Sequence, residues 1–141
     1  MAEWKFFDYQ RPSTDADSKP ILLNEILIWT RNLPQKAQAR IDTLILVLSE
    51  SPVWPPAYIS GCGFPNIWEI RAGCFGVQYR PLGFHGPKAR EFTLVIGTIE
   101  KGGKIPKGDG NSAVERRTRV LQGWSTCTHE FADSTAEQAK K

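Results

Sequence analysis

Two arginines on neighbouring apolar strands are the residues that first suggest chemistry in this sequence. The stretch IWEIRAGCFGVQYRPLGF, residues 67 to 84, reads as two short strands around a glycine-containing turn, with Arg71 near the inner end of one and Arg80 in the middle of the other. A guanidinium stays charged and presents a fixed fork of donors that matches the oxygens of a phosphate or a carboxylate. Strand side chains alternate, so Arg71 shares a face with Glu69 and Ile67, and Arg80 with Gln78 and Leu82. Two arrangements are open. Either Arg71 pairs with Glu69 or Glu91 while Arg80 reaches toward the sheet edge, or the pair serves an anionic partner. Whether both project to one side depends on the register of the turn AGCFG, since a slip of one residue reverses it.

The surrounding charge favours an anionic partner. The whole chain carries a net charge of +3, yet from Arg71 to Val120 ten basic residues face four acidic ones. Lys101, Lys104 and Lys107 lie in EKGGKIPKGDGN, a glycine-rich loop by composition. Such a region attracts a polyanion through steering and counterion release. A chain of 141 residues, 40% hydrophobic and 23% charged with five Trp, has the balance of one folded domain. No run approaches the roughly 18 apolar residues of a membrane span, and the start MAEWKFFDYQ lacks the regions of a signal peptide. A cytoplasmic location is expected. Cys62, Cys74 and Cys127 are odd in number and lack C-x-x-C spacing, so free thiols are expected rather than a disulfide framework or a cysteine zinc site.

The elements that must position these residues follow from periodicity. WKFFDY, residues 4 to 9, reads as a strand, and QRPSTDADSKP as a polar connection. Leu22, Ile26, Trp29 and Leu33 recur at helical spacing, which predicts a first helix after Pro20 that runs to about Leu33. Pro34 interrupts it and opens a second, in which Ile41, Leu44, Ile45 and Leu48 form one apolar face. SPVWPPAYISGCGFP has too much proline and glycine for regular structure. Strands are predicted at about 67–72, 76–84 and 91–99, the last well covered because both its faces are mostly apolar. Ser112 and Glu115 in SAVE fit a capping box, which predicts a last helix to about Gln122. The polar segment after it reads as a frayed tail.

The words LPQKAQARIDTLILVL, IWEIR, GVQYR, FTLVIGTIEKGGKIP and a terminal RR helix occur in that order between residues 22 and 122. In this the chain resembles the HigB branch of the RelE/ParE toxin superfamily, particularly its phage-derived members. The resemblance implies an α+β fold in which an N-terminal helical hairpin packs on a curved, mainly antiparallel sheet, followed by a short C-terminal helix. It implies one toxin domain over residues 1–122 and a flexible tail over 123–141. The implied function is that of a type II toxin, a ribosome-dependent mRNA endonuclease neutralised by an antitoxin of helix-turn-helix type. Its partners would be that antitoxin, the ribosome and mRNA, with no membrane, metal or cofactor. A ParE-like, non-catalytic inhibitor of DNA gyrase and a phage accessory protein that binds RNA or protein are the alternatives.

Metal-free RNA cleavage requires proton removal from the 2′-hydroxyl, stabilisation of the added negative charge and protonation of the leaving 5′ oxygen. On the resemblance, Arg80 matches the arginine of the family's YR strand and holds the scissile phosphate, while Arg71, Lys101, Lys104 and Lys107 bind RNA. The proton-transfer group has no direct match, because no tyrosine follows Tyr79. His85, in the turn GFHGPKAREF, is the candidate for that role. His129 would serve only if the segment beyond residue 122 folded back over the sheet.

Overall fold

A computed structural model describes residues 3–132. The helical hairpin expected at the N-terminus is not how the chain begins: the sheet comes first. Strand β1 spans Lys5–Thr14 and β2 spans Pro20–Asn24, and they pair antiparallel, Gln10 opposite Asn24 and Thr14 opposite Pro20. The polar connection expected as a loop is therefore largely strand. Asp15 makes the reversal, its Oδ1 accepting from the backbone N–H groups of Asp17 and Lys19, each at 2.9 Å. Leu22 matched the helical spacing but lies in β2. Helix α1 spans only Glu25–Arg31, because the Asn24 side chain caps it by accepting from the Leu27 N–H at 3.0 Å.

Helix α2, Gln35–Glu50, begins after Pro34 as the sequence predicts and buries Ile41, Leu44, Ile45 and Leu48. Short strands β3 (Ile59–Gly61), β4 (Trp68–Ile70) and β5 (Ala72–Cys74) follow, then β6 (Val77–His85) and β7 (Glu91–Ile99). Strand β3 arises within the Pro/Gly-rich segment expected to be irregular; the edge position tolerates such composition because only one side must pair. Helix α3 spans Lys107–Leu121, starting after Pro106 rather than at Ser112, so the capping box does not form. It runs through Gly110, where Phe64 packs so closely that a Cβ would strike its ring. Strand β8, Thr126–Thr128, pairs with β1, and the His129 N–H donates to Phe6 O at 2.9 Å. The segment read as a tail thus returns to the sheet, while residues 133–141 of that expected tail lie outside the described residues.

The architecture is α+β, with eight strands and three helices among the described residues. Strand order is β2-β1-β7-β6-β4-β3, β5 also pairing with β6 and β8 with β1. The sheet is mixed: β1 runs parallel to β7, and the other pairings among the described strands are antiparallel. A register shift at Leu82/Gly83 bends the β6–β7 pair. One face packs Phe6, Phe92 and Leu94 against α1 and α2. The other packs Tyr9, Leu82, Phe84 and Val95 against Ala113 and Val120 of α3. Burying each large apolar side chain contributes about 1.5–3 kcal/mol, and the two cores hold the sheet between helical layers. No helix among the described residues is long and apolar enough to cross a membrane.

Candidate functional site

The turn that decides the arginines is two residues long. Cys74 pairs with Val77 across Phe75 and Gly76, which have φ of 49° and 78°. That geometry matches the right-handed twist of a hairpin and favours glycine at its second position. With Ala72 opposite Tyr79 and Gly73 opposite Gln78, Arg71 falls beside Arg80, and both side chains project to the α3 face. Glu69, opposite Leu82 in β4, projects to the same face. The register that brings two cations together therefore also supplies a carboxylate between them.

Arg80 is 2% exposed and almost entirely enclosed. Its Nε lies 2.8 Å from Glu69 Oε2, its Nη2 pairs with Glu100 and donates to Gln78 Oε1 at 3.0 Å, and its Nη1 donates to Tyr79 O at 3.0 Å. A charge taken out of water persists only when paired in this way. Arg71 is more open, with 40% of its side chain exposed, and its Nη1 donates to Glu69 Oε1 at 3.3 Å. Glu69 thus bridges both arginines. Burial raises its pKa above the ordinary carboxylate value, opposed by the Arg80 and Arg71 charges and reinforced by Glu100. The carboxyl therefore retains its proton more readily than an ordinary glutamate, beside two guanidinium groups.

Above this cluster opens a cleft of about 350 Å³ whose walls include Cys62, Phe64, Glu69, Glu100, Lys104 and Ile105. Lys104 reaches it because β7 continues into a tight reversal. Lys101 and Lys104 exchange backbone hydrogen bonds at 2.9 and 3.2 Å across Gly102 and Gly103, with φ of 59° and 75°. The loop expected to be irregular is a hairpin tip. Lys101 faces a different groove, beside Trp29 and Asp109, and Lys107 is the first residue of α3. The three lysines therefore border the site from separate directions and do not form one cradle. Burial raises the Cys62 thiol pKa, which keeps it from acting as a thiolate.

His85 is not brought to this cleft. It projects to the opposite face from Arg80, five residues away on β6, and packs among rings: Trp4, Trp54 and Trp68 with centroids at 5.4 Å and Phe92 at 5.2 Å. His85 is exposed at the end of β6, yet the neighbouring rings partly desolvate it and lower its pKa. His129 does fold back, its Nδ1 lying 2.7 Å from Asp8 Oδ1, but on the α1/α2 face. The residues that sequence reasoning missed are Glu69 and Glu100. Glu69 was visible as a partner for Arg71 and Glu100 as the acidic neighbour of Lys101, but their convergence on Arg80 needs the β4–β6 and β6–β7 registers. Among the described residues no group of three or more His, Cys, Asp or Glu side chains is placed to hold a metal ion. No protein-family model matches the chain, and no curated protein or solved structure matches it.

Proposed function

We propose that this chain is a type II toxin that cleaves translated mRNA without a metal, neutralised by a helix-turn-helix antitoxin and working in the cytoplasm. The observation that carries the reading is a cleft lined by Glu69 from IWEIR and by Glu100 and Lys104 from TIEKGGK, with Arg71 and Arg80 paired to its carboxylates. Segments up to 35 residues apart in the chain would have no need to combine proton-transfer and cationic groups at a concave surface for folding alone.

The residues divide the chemistry as follows. Arg71 and Lys104, the accessible cations, hold the phosphate. Glu69 takes the proton of the attacking 2′-hydroxyl and returns it to the leaving 5′ oxygen, as the O2′–P bond forms and the P–O5′ bond breaks. A 2′,3′-cyclic phosphate and a 5′-hydroxyl result. While Glu69 holds the proton it no longer neutralises the arginines, so the net positive charge of the cluster rises as negative charge develops on phosphorus. Arg80, enclosed beneath the carboxylates, acts through Glu69 as a positioning residue.

Primer extension on a message, with and without ribosomes, tests the reading. The wild type should cut only on ribosomes. Glu69→Gln keeps the shape of the side chain but removes one of the two carboxylates paired with Arg80, so it should lose some stability and, where circular dichroism shows it folded, cut about a hundredfold more slowly or worse. Arg71→Ala should raise KM more than it lowers kcat, in a manner that added salt reproduces in the wild type. The enclosure of every Arg80 nitrogen favours the second reading, non-catalytic inhibition of DNA gyrase. Growth arrest with uncut RNA, and gyrase inhibition unchanged by Glu69→Gln, would establish that alternative and end the first.

A further inference from the structure

Across the sheet edge from the cleft lies a second cavity, of about 320 Å³, lined by Trp4, Trp54, Trp68, His85, Ser60 and Gly61 among others. Its walls are flat and apolar. Trp4 and Trp54 approach with ring centroids 4.5 Å apart, and His85 joins them at 5.4 Å. Trp68 is 37% exposed, an unusual fraction for the largest apolar side chain. The Trp54 N–H donates to Leu48 O at 2.9 Å, whereas the Trp4 N–H is buried with no hydrogen-bond partner among the described residues.

Gly61 belongs to both cavities. It ends the edge strand β3, and a Cβ built on it would meet nothing within 4 Å. Gly61 thus presents no side chain at the residue the two cavities share. A chain lying across it would have one part among Lys104, Glu69 and Arg71 and the next among indole rings. That alternation of charged and aromatic surroundings fits the phosphate and base of a single-stranded nucleic acid, whose unstacked bases settle on aromatic side chains while cations track the backbone.

We propose that the cavity of Trp4, Trp54, Trp68 and His85 receives one unstacked base of the RNA whose phosphate lies in the Glu69 cleft. The proposal rests on the RNA-cleaving function above and adds to it a base subsite on the opposite face of β4 and β6. Within it Trp68 is the exposed stacking platform. His85 serves as a wall of the cavity.

The test uses a hexamer of 2′-O-methyl adenylate, which lacks the attacking hydroxyl, and a set of hexamers each abasic at one position. Binding is read by quenching of tryptophan fluorescence and by anisotropy of a terminal dye. One abasic position should weaken wild-type binding about tenfold and abolish the quenching. Trp68→Ala should lose the same factor and become indifferent to the abasic position, and Trp68→Phe should recover most of it, with circular dichroism confirming both folds. Equal binding of all abasic hexamers while Arg71→Ala still weakens the intact one would overturn the base subsite and leave the cleft assignment standing. Failure of every hexamer to bind would also overturn it. Cutting of ribosome-bound mRNA by the same preparation distinguishes these failures from failure of the proposed function.

Discussion

The two faces of strand β6 solve opposite problems with residues one position out of phase. On the α3 face, Arg80 is held at 2% exposure by Glu69, Glu100, Gln78 and a backbone carbonyl. On the α1/α2 face, Tyr79 and the Phe92 and Leu94 of β7 join a core with Ile41, Leu44, Ile45 and Leu48 of α2, and His85 sits among rings at its margin. One face is closed by paired charge and the other by apolar contact. Apolar contacts are non-directional and lose stability in proportion to the atoms removed. A buried ion network is directional, and loss of one member strands the others. The difference predicts how each face fails.

The largest expected effect is on the charged face. Arg80→Ala leaves Glu69 and Glu100 without their shared cation and should cost about 3–5 kcal/mol, a large fraction of the roughly 5–15 kcal/mol that a domain possesses. Urea denaturation checks this, and a variant as stable as wild type would mean that the network is not closed as described. The resemblance implied instead that Arg80 holds the scissile phosphate. Its enclosure makes inactivity of Arg80→Ala uninformative about catalysis. Glu69→Gln, which keeps the shape of the side chain, is the sharper probe of chemistry.

On the apolar face, Leu44→Ala should cost about 2–5 kcal/mol through the lost transfer energy and the cavity left between α2 and the sheet. The expected signature is a lower denaturation midpoint at every pH, because no charge is disturbed. A pH-dependent loss would show that the two faces are coupled through the sheet.

The smallest effect belongs to His85. Desolvation by its rings lowers its pKa from the ordinary 6.5, so as pH falls through that value the unfolded chain takes up a proton before the folded one does. Stability contributed by the neutral ring is present above pH 6.5 and lost as pH drops toward the lower, folded value. His85→Phe should flatten that part of a melting-temperature profile relative to wild type. An unchanged slope would mean that the imidazole is solvated rather than walled in.

Periodicity alone located α2, β6, β7 and the placement of β7 as a covered strand, because each repeats its apolar residues at the period of its own backbone. It placed a helix at Leu22 and a loop over Gln10–Thr14, since five residues of β2 and a polar hairpin carry no period strong enough to outweigh a chance match. The helical hairpin inferred from resemblance failed although WKFFDY read as a strand, because its place in the sheet beside β7 is decided only by parallel pairing with Glu91–Leu94 far along the chain.

The sequence by itself determined that Glu69 and Arg80 occupy strands and that basic charge gathers after residue 71, whereas Arg71, predicted within one strand over 67–72, lies at the break between β4 and β5. It also determined which residues share a face within each strand, because alternation is a property of the local backbone. Only the tertiary structure decided that the Phe75–Gly76 turn sets Arg71 beside Arg80, that Glu69 and Glu100 close over the guanidinium, and that His85 turns away toward the tryptophans. Those outcomes depend on register between strands far apart in the chain. A shift of one residue would exchange the faces with no change in any local preference.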